Sequence, residues 1–208
     1  MALVKYNNNS ISAVSSLDSL PSGALVPIKT LTASSSSTLS FVHGSSDVVF
    51  DSTYPIYVFK FISLHPSASG GVRPTFQLST DGGSNYNTTM TTTSFRALHA
   101  ENDSSANLAY DTGSDQAQGT AFQMIGTDIG DGNDESCSGT LHLFNPSSTT
   151  FVKHFIARSN GMNTGAFTLD TYVAGYANTT SACNAVQFKF GSGNIDAGTI
   201  KLYGIKDS

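Results

Sequence analysis

Residues 126–136 read GTDIGDGNDES and set Asp128, Asp131, Asp134 and Glu135 between two apolar runs. Four carboxylates so close together are the hard oxygen ligands that calcium takes. The EF-hand loop, however, needs D-x-[DN]-x-[DN]-G, and the sixth position counted from Asp131 is Ser136. The nonapeptide β-helix repeat needs tandem copies, and Gly130, Gly132 and Asp134 echo it once. The stretch therefore reads as a turn between AFQMIG (121–126) and SGTLHLF (138–144), bent by Gly130 and Gly132, or as a loop that meets a neighbouring subunit. Calcium is the competing reading.

Two other groupings invite chemistry. His142 and His154 lie on successive strand segments joined by NPSSTT, so a suitable register sets two imidazoles side by side. A zinc site requires a third and a fourth ligand that the sequence does not supply, and both histidines read as structural polar positions. Residues Ser79 to Tyr86, STDGGSNY, fit the Asp-box pattern S-x-D-x-G-x-x-W with Tyr86 in the aromatic place. Its chemistry is that of a turn: the aspartate caps backbone amides, a glycine takes positive φ, and the aromatic folds over the corner. A nucleophile elbow, an H-E-x-x-H pair, a phosphate loop and a dinucleotide fingerprint are all missing from the sequence. Opposed catalytic carboxylates of the glycosidase type cannot be identified either. The expectation is a protein that is not an enzyme, with no catalytic, cofactor or metal residue.

The aromatic segments VFKF (58–61), FVKHF (151–155) and VQFKF (186–190) alternate as core strands do, and there is no tryptophan to suggest a carbohydrate platform. Glycan contact is expected instead from Tyr110, Asp111 and their neighbours in the polar excursion 101–120.

The elements that position these residues are strands. Short runs with period-two alternation, broken by Gly, Pro and Asn turns, recur at 24–33, 38–43, 47–50, 54–65, 72–80, 86–100, 121–126, 138–146, 150–159, 167–177, 184–191 and 199–205. Tyr57, Phe59 and Phe61 alternate with Val58, Lys60 and Ile62, which predicts a central strand covered on both faces for most of its length. Segments 72–80 and 86–100 flank DGGSN and should pair as a hairpin. No helical period appears, so the fold class is all-β: an antiparallel β-sandwich, jelly-roll-like, spanning 25–208 and preceded by an extended N-terminal arm at 1–24.

Composition agrees. Charged residues make up 12% of the 208, while Ser, Thr, Asn and Gly fill roughly two-fifths. The net charge of −5, with scattered basic residues, excludes the cationic footprint of a nucleic-acid binder. No apolar run is long enough to span a bilayer, and MALVKYNNNS never develops a secretory apolar region, so synthesis in the cytoplasm is expected. Cys137 and Cys183 lack CxxC spacing and read as free thiols or one bridge.

Several stretches resemble a family of virion proteins from marine tailed bacteriophages: LPSGALVPIKTLTASSSSTLSF, YVFKFISLHP, STDGGSNYN, LHLFNPSSTTFVKHFIA, YVAGYANTTSACNAVQFKF and SGNIDAGTIKLYGI. The likeness covers nearly the whole chain after its first 24 residues and includes no catalytic signature. It implies a virion structural protein, a capsid decoration (cement) protein or a tail-fibre or receptor-binding component, with a jelly-roll-like body and a homotrimeric state. The implied partners are the major capsid protein or tail proteins, with a host surface glycan as the ligand in the tail case. The implied location is the virion.

Overall fold

The computed structural model describes residues 25–206, so the arm expected at 1–24 lies outside the described residues. Twelve strands follow one another: β1 (Leu25–Thr32), β2 (Leu39–Val42), β3 (Ile56–Pro66), β4 (Pro74–Ser79), β5 (Met90–Ala100), β6 (Ala106–Tyr110), β7 (Gln123–Met124), β8 (Cys137–Phe144), β9 (Lys153–Met162), β10 (Phe167–Ala177), β11 (Ala185–Phe190) and β12 (Ile195–Ile205). They form two antiparallel sheets, an eight-stranded one ordered β1-β12-β3-β8-β9-β10-β5-β6 and a four-stranded one ordered β2-β11-β4-β7.

Eight of these strands are nested. β1 pairs with β12, β2 with β11, β3 with β8 and β4 with β7; along the nested strands the chain alternates between sheets on either side of the β4-β7 pair, which shares the small sheet. That is the winding of a jelly roll, a long antiparallel ribbon rolled into two layers. The other four strands arrive as two insertions, β5-β6 after β4 and β9-β10 after β8, and extend the large sheet on the β8 side.

Alternation along the strands builds the core. Phe59 and Phe61 of β3 and Phe155 of β9 point inward, against Phe41, Phe76 and Phe188 of the small sheet. The rings meet edge to face, with centroids 5.3 Å apart for Phe41 and Phe59, 5.4 Å for Phe61 and Phe188, and 4.9 Å for Phe76 and Phe155. Each such side chain contributes about 1.5–3 kcal/mol by leaving water. The core reading of VFKF, FVKHF and VQFKF therefore describes where these rings sit, apart from Phe151, which is exposed in the loop before β9.

Several local expectations are corrected. Segments 72–80 and 86–100 do not pair: β4 belongs to the small sheet and β5 to the large one, so DGGSN passes the chain between layers. Residues 47–50 form no strand, although Val48 and Phe50 are buried. β3 is central, and its outward face is covered in part: Val58 is buried there, Lys60 half-buried and Ile62 exposed. The excursion 101–120 includes strand β6, the edge of the large sheet.

Candidate functional site

Among the described residues, the chemistry-bearing side chains separate into structural sets and one exposed sheet face. In the Asp-box turn, the Asp81 carboxylate accepts hydrogen bonds from Ser79 Oγ at 2.6 Å, Asn85 N at 2.9 Å and Asn85 Nδ2 at 2.7 Å. These donors, the Ser79 hydroxyl first, pull its carboxyl down to about 2. Gly83 holds φ +82°, and a Cβ there would meet the Tyr86 hydroxyl at 2.8 Å, because the tyrosine folds over the corner. The amide of Gly82 donates to Asn184 Oδ1 at 2.8 Å, which stitches the turn to the start of β11. The motif is a structural fastening.

The acidic stretch 126–136 does not gather its carboxylates. Asp128 accepts from Arg73 Nε at 2.8 Å, and Glu135 accepts from its own loop at Gly132 N, 2.7 Å away. Among the described residues no group of three or more His, Cys, Asp or Glu is placed to hold a metal ion. Nor is the stretch a simple turn, since β7 and β8 lie in different sheets and Ile129 between them is fully buried. Ile129 bridges Val72 on one side and Asn163 on the other. Gly130 and Gly132 have no positive φ; a Cβ at Gly130 would strike the Glu135 carboxylate, so this glycine supplies room rather than a bend.

His142 lies opposite Ile156, not His154, so the two histidines sit diagonally on one face. Each has its own aromatic neighbour, Phe144 at 6.5 Å for His142 and Tyr176 at 6.1 Å for His154. Burial, with Lys60 nearby, holds the His142 imidazole below its ordinary pKa and favours the neutral ring. Cys137 and Cys183 are both free and buried, and burial raises their thiols to about 12 and about 11.

Buried polar residues that gave no motif hold the insertions in place. Gln123 Nε2 donates to the carbonyls of Ser114 at 2.7 Å and Met124 at 2.8 Å, while its Oε1 accepts from Thr92 Oγ1 at 2.7 Å. This closes residues 111–122 over the inner face of β5. Asp111, expected at a glycan contact, is buried there, bonded to Ser114 Oγ at 2.9 Å and 3.9 Å from Arg73. Lys153 is buried too and donates from Nζ to the carbonyls of Phe151 at 2.8 Å and Thr179 at 3.2 Å. Sequence reasoning missed these residues because a lone Gln or Lys in a polar chain carries no spacing signal.

The remaining surface is the outer face of the large sheet, turned away from the small sheet. Ile62, Phe95, Leu108, Tyr110 and Ile156, between 42% and 70% exposed, all project from it. A shallow trough of about 570 Å³ runs between β8, β9, β10 and β5, with Phe144, His154 and Tyr176 at one end and Thr93 and Ala174 on its floor. It continues past Ile156 into a recess of about 190 Å³ walled by Phe95 and Tyr172. Those two rings stack at 4.8 Å, and the Arg158 guanidinium covers the other face of Tyr172 at 4.8 Å. Arg158 also holds Asp170 through two bonds, 3.0 and 2.7 Å, which lowers the Asp170 carboxyl. Beside them a polar depression of about 370 Å³ is lined by Ser138, Thr140, Asn160 and this ion pair. Such a surface can stack, cover and hydrogen-bond a partner.

No known family profile, curated protein or solved structure matches the chain.

Proposed function

We propose that the protein is a non-enzymatic structural component of a tailed-phage particle, a capsid decoration protein that stabilises the shell through contacts with the major capsid protein and with other copies of itself. The resemblance of the stretches quoted above supports this reading, and so does the jelly-roll winding, which recurs among capsid proteins. The observation that carries it is the outer face of the large sheet, where five large apolar side chains are exposed and no layer of the described residues covers them. Contiguous exposed apolar surface marks protein contact. Quantitative protein analysis of purified particles is expected to find the chain in numbers comparable to the major capsid protein. A few copies confined to the tail would overturn the decoration role.

A second reading, a tail-fibre component that recognises a host surface glycan, is favoured by one observation. The polar depression at Arg158, Asn160 and Asp170 combines charged and amide groups beside aromatic rings. On this reading the purified protein binds host cells, and Asn160→Ala together with Thr140→Ala reduces that binding at least tenfold. Undiminished binding by the double variant would remove the depression from consideration.

A further inference from the structure

We propose that the outer face of the large sheet joins two copies of this chain about a two-fold axis that runs parallel to the strands, between β8 and β9. The inference rests on the reading of the protein as an assembling component, and adds to it the surface, the partner and the symmetry.

The face is large enough. Seven interstrand gaps of about 4.8 Å and about eight residues at ~3.3 Å each give roughly 34 by 26 Å, or about 900 Å². A stable interface takes about 800 Å² from each partner. Five of the six exposed large hydrophobic residues among the described residues lie on this face, and the sixth, Phe151, is in a loop.

Charge on the face is lopsided. Lys201 of β12 stands directly opposite Lys60 of β3. Neither forms an ion pair among the described residues, and Lys60 lies 5.5 Å from the Tyr203 ring. Like charges directly opposed across strands destabilise a sheet, so covering this pair with electron-rich ring faces relieves the repulsion. The other half of the face is aromatic and nearly neutral. It carries Tyr172, Phe95 and Tyr110, and its Asp170 on β10 is already bonded to Arg158 on β9.

The sheet order selects the axis. β8 and β9 are the two middle strands of the eight. A two-fold along the strands between them lays β3 over the partner's β10 and β12 over the partner's β5. The lysine half of each copy then covers the aromatic half of the other, and the lysine stems pack on apolar surface while their ammonium groups meet the faces of the aromatic rings. A two-fold across the strands would set lysine half on lysine half. Only the first is self-complementary, as an isologous contact must be.

Light scattering of the full chain after size-exclusion chromatography, at micromolar concentration and low salt, is expected to give twice the 21.8 kDa chain mass. Ile156→Glu, at the centre of the face, should weaken association at least tenfold. Phe151→Glu, more exposed still but in the loop, should leave it unchanged. Lys60→Glu with Lys201→Glu should also weaken association tenfold or more, with unaltered circular dichroism in every variant. A monomer, or the three-chain mass that the sequence resemblance implies, would end the proposal. A dimer lost to Ile156→Glu but indifferent to lysine reversal would overturn the axis. A monomer in solution that still decorates particles in capsid-like numbers would overturn this pairing and leave the decoration role standing.

Discussion

Asp81 accepts three hydrogen bonds on an exposed turn, and its carboxyl falls from 3.8 to about 2 on folding. A depressed carboxyl stabilises the fold above its unfolded pKa and loses that contribution as pH falls through its folded value. Asp81→Ala should therefore lower the melting temperature by a few degrees at pH 6, and the difference should shrink between pH 4 and pH 2. A difference that does not change over this range would show that the bonds act without the charge. Gln123 makes the opposite kind of contribution, buried and neutral. Replacing it with leucine strands the Ser114 carbonyl and the Thr92 hydroxyl, at a cost of about 2–3 kcal/mol in urea unfolding. An unchanged midpoint would mean that water takes over its bonds. The two thiols, raised by burial, should resist a disulfide reagent in the native protein at pH 8, and both should react after denaturation. The Asp-box was legible because its residues are contiguous; Gln123 and Lys153 were not, because each also bonds a residue more than twenty positions away, Thr92 and Thr179 respectively.

At the scale of elements, the stretch 126–136 is a crossing between layers that drives one apolar side chain into the core. Ile129→Ala is expected to cost about 2–5 kcal/mol, measured by chemical denaturation, because a fully buried side chain leaves a cavity. A loss below half a kilocalorie would mean that the crossing is not part of the cooperative core. A chelator should leave the melting temperature unchanged, whereas a fall of several degrees would reveal a bound ion that stabilises the native state. The sequence marks this stretch as acidic and glycine-rich, but it cannot show that Asp128 turns to Arg73 or that Glu135 turns back on Gly132. The same limit applies to β4 and β5. Their alternation and the turn between them suggest a hairpin, yet a turn motif closes a corner equally well within one sheet or between two.

For the whole molecule, nested pairing of first strands with last puts most contacts far apart in sequence. β1 pairs with β12 across more than 160 residues, as the Thr32 and Thr199 register shows. Loop closure must precede such pairing, so refolding from urea is expected on the millisecond-to-second scale or slower. A microsecond phase carrying the full amplitude would contradict this topology. The helix-free character and eleven of the twelve strands were readable from the chain, because period-two alternation and turn residues are local properties; β6 was hidden in the polar excursion 101–120, and the segment 47–50 forms no strand. Alternation also named the inward phenylalanines, since burying one face of a strand is decided residue by residue. Which strands became neighbours, which sheet grew to eight, and which face no described residue covers were settled only in three dimensions. Partner choice depends on packing the whole set of faces at once. That is why Lys60 and Lys201, 141 positions apart in the chain, meet across two strands with no local signal to announce them.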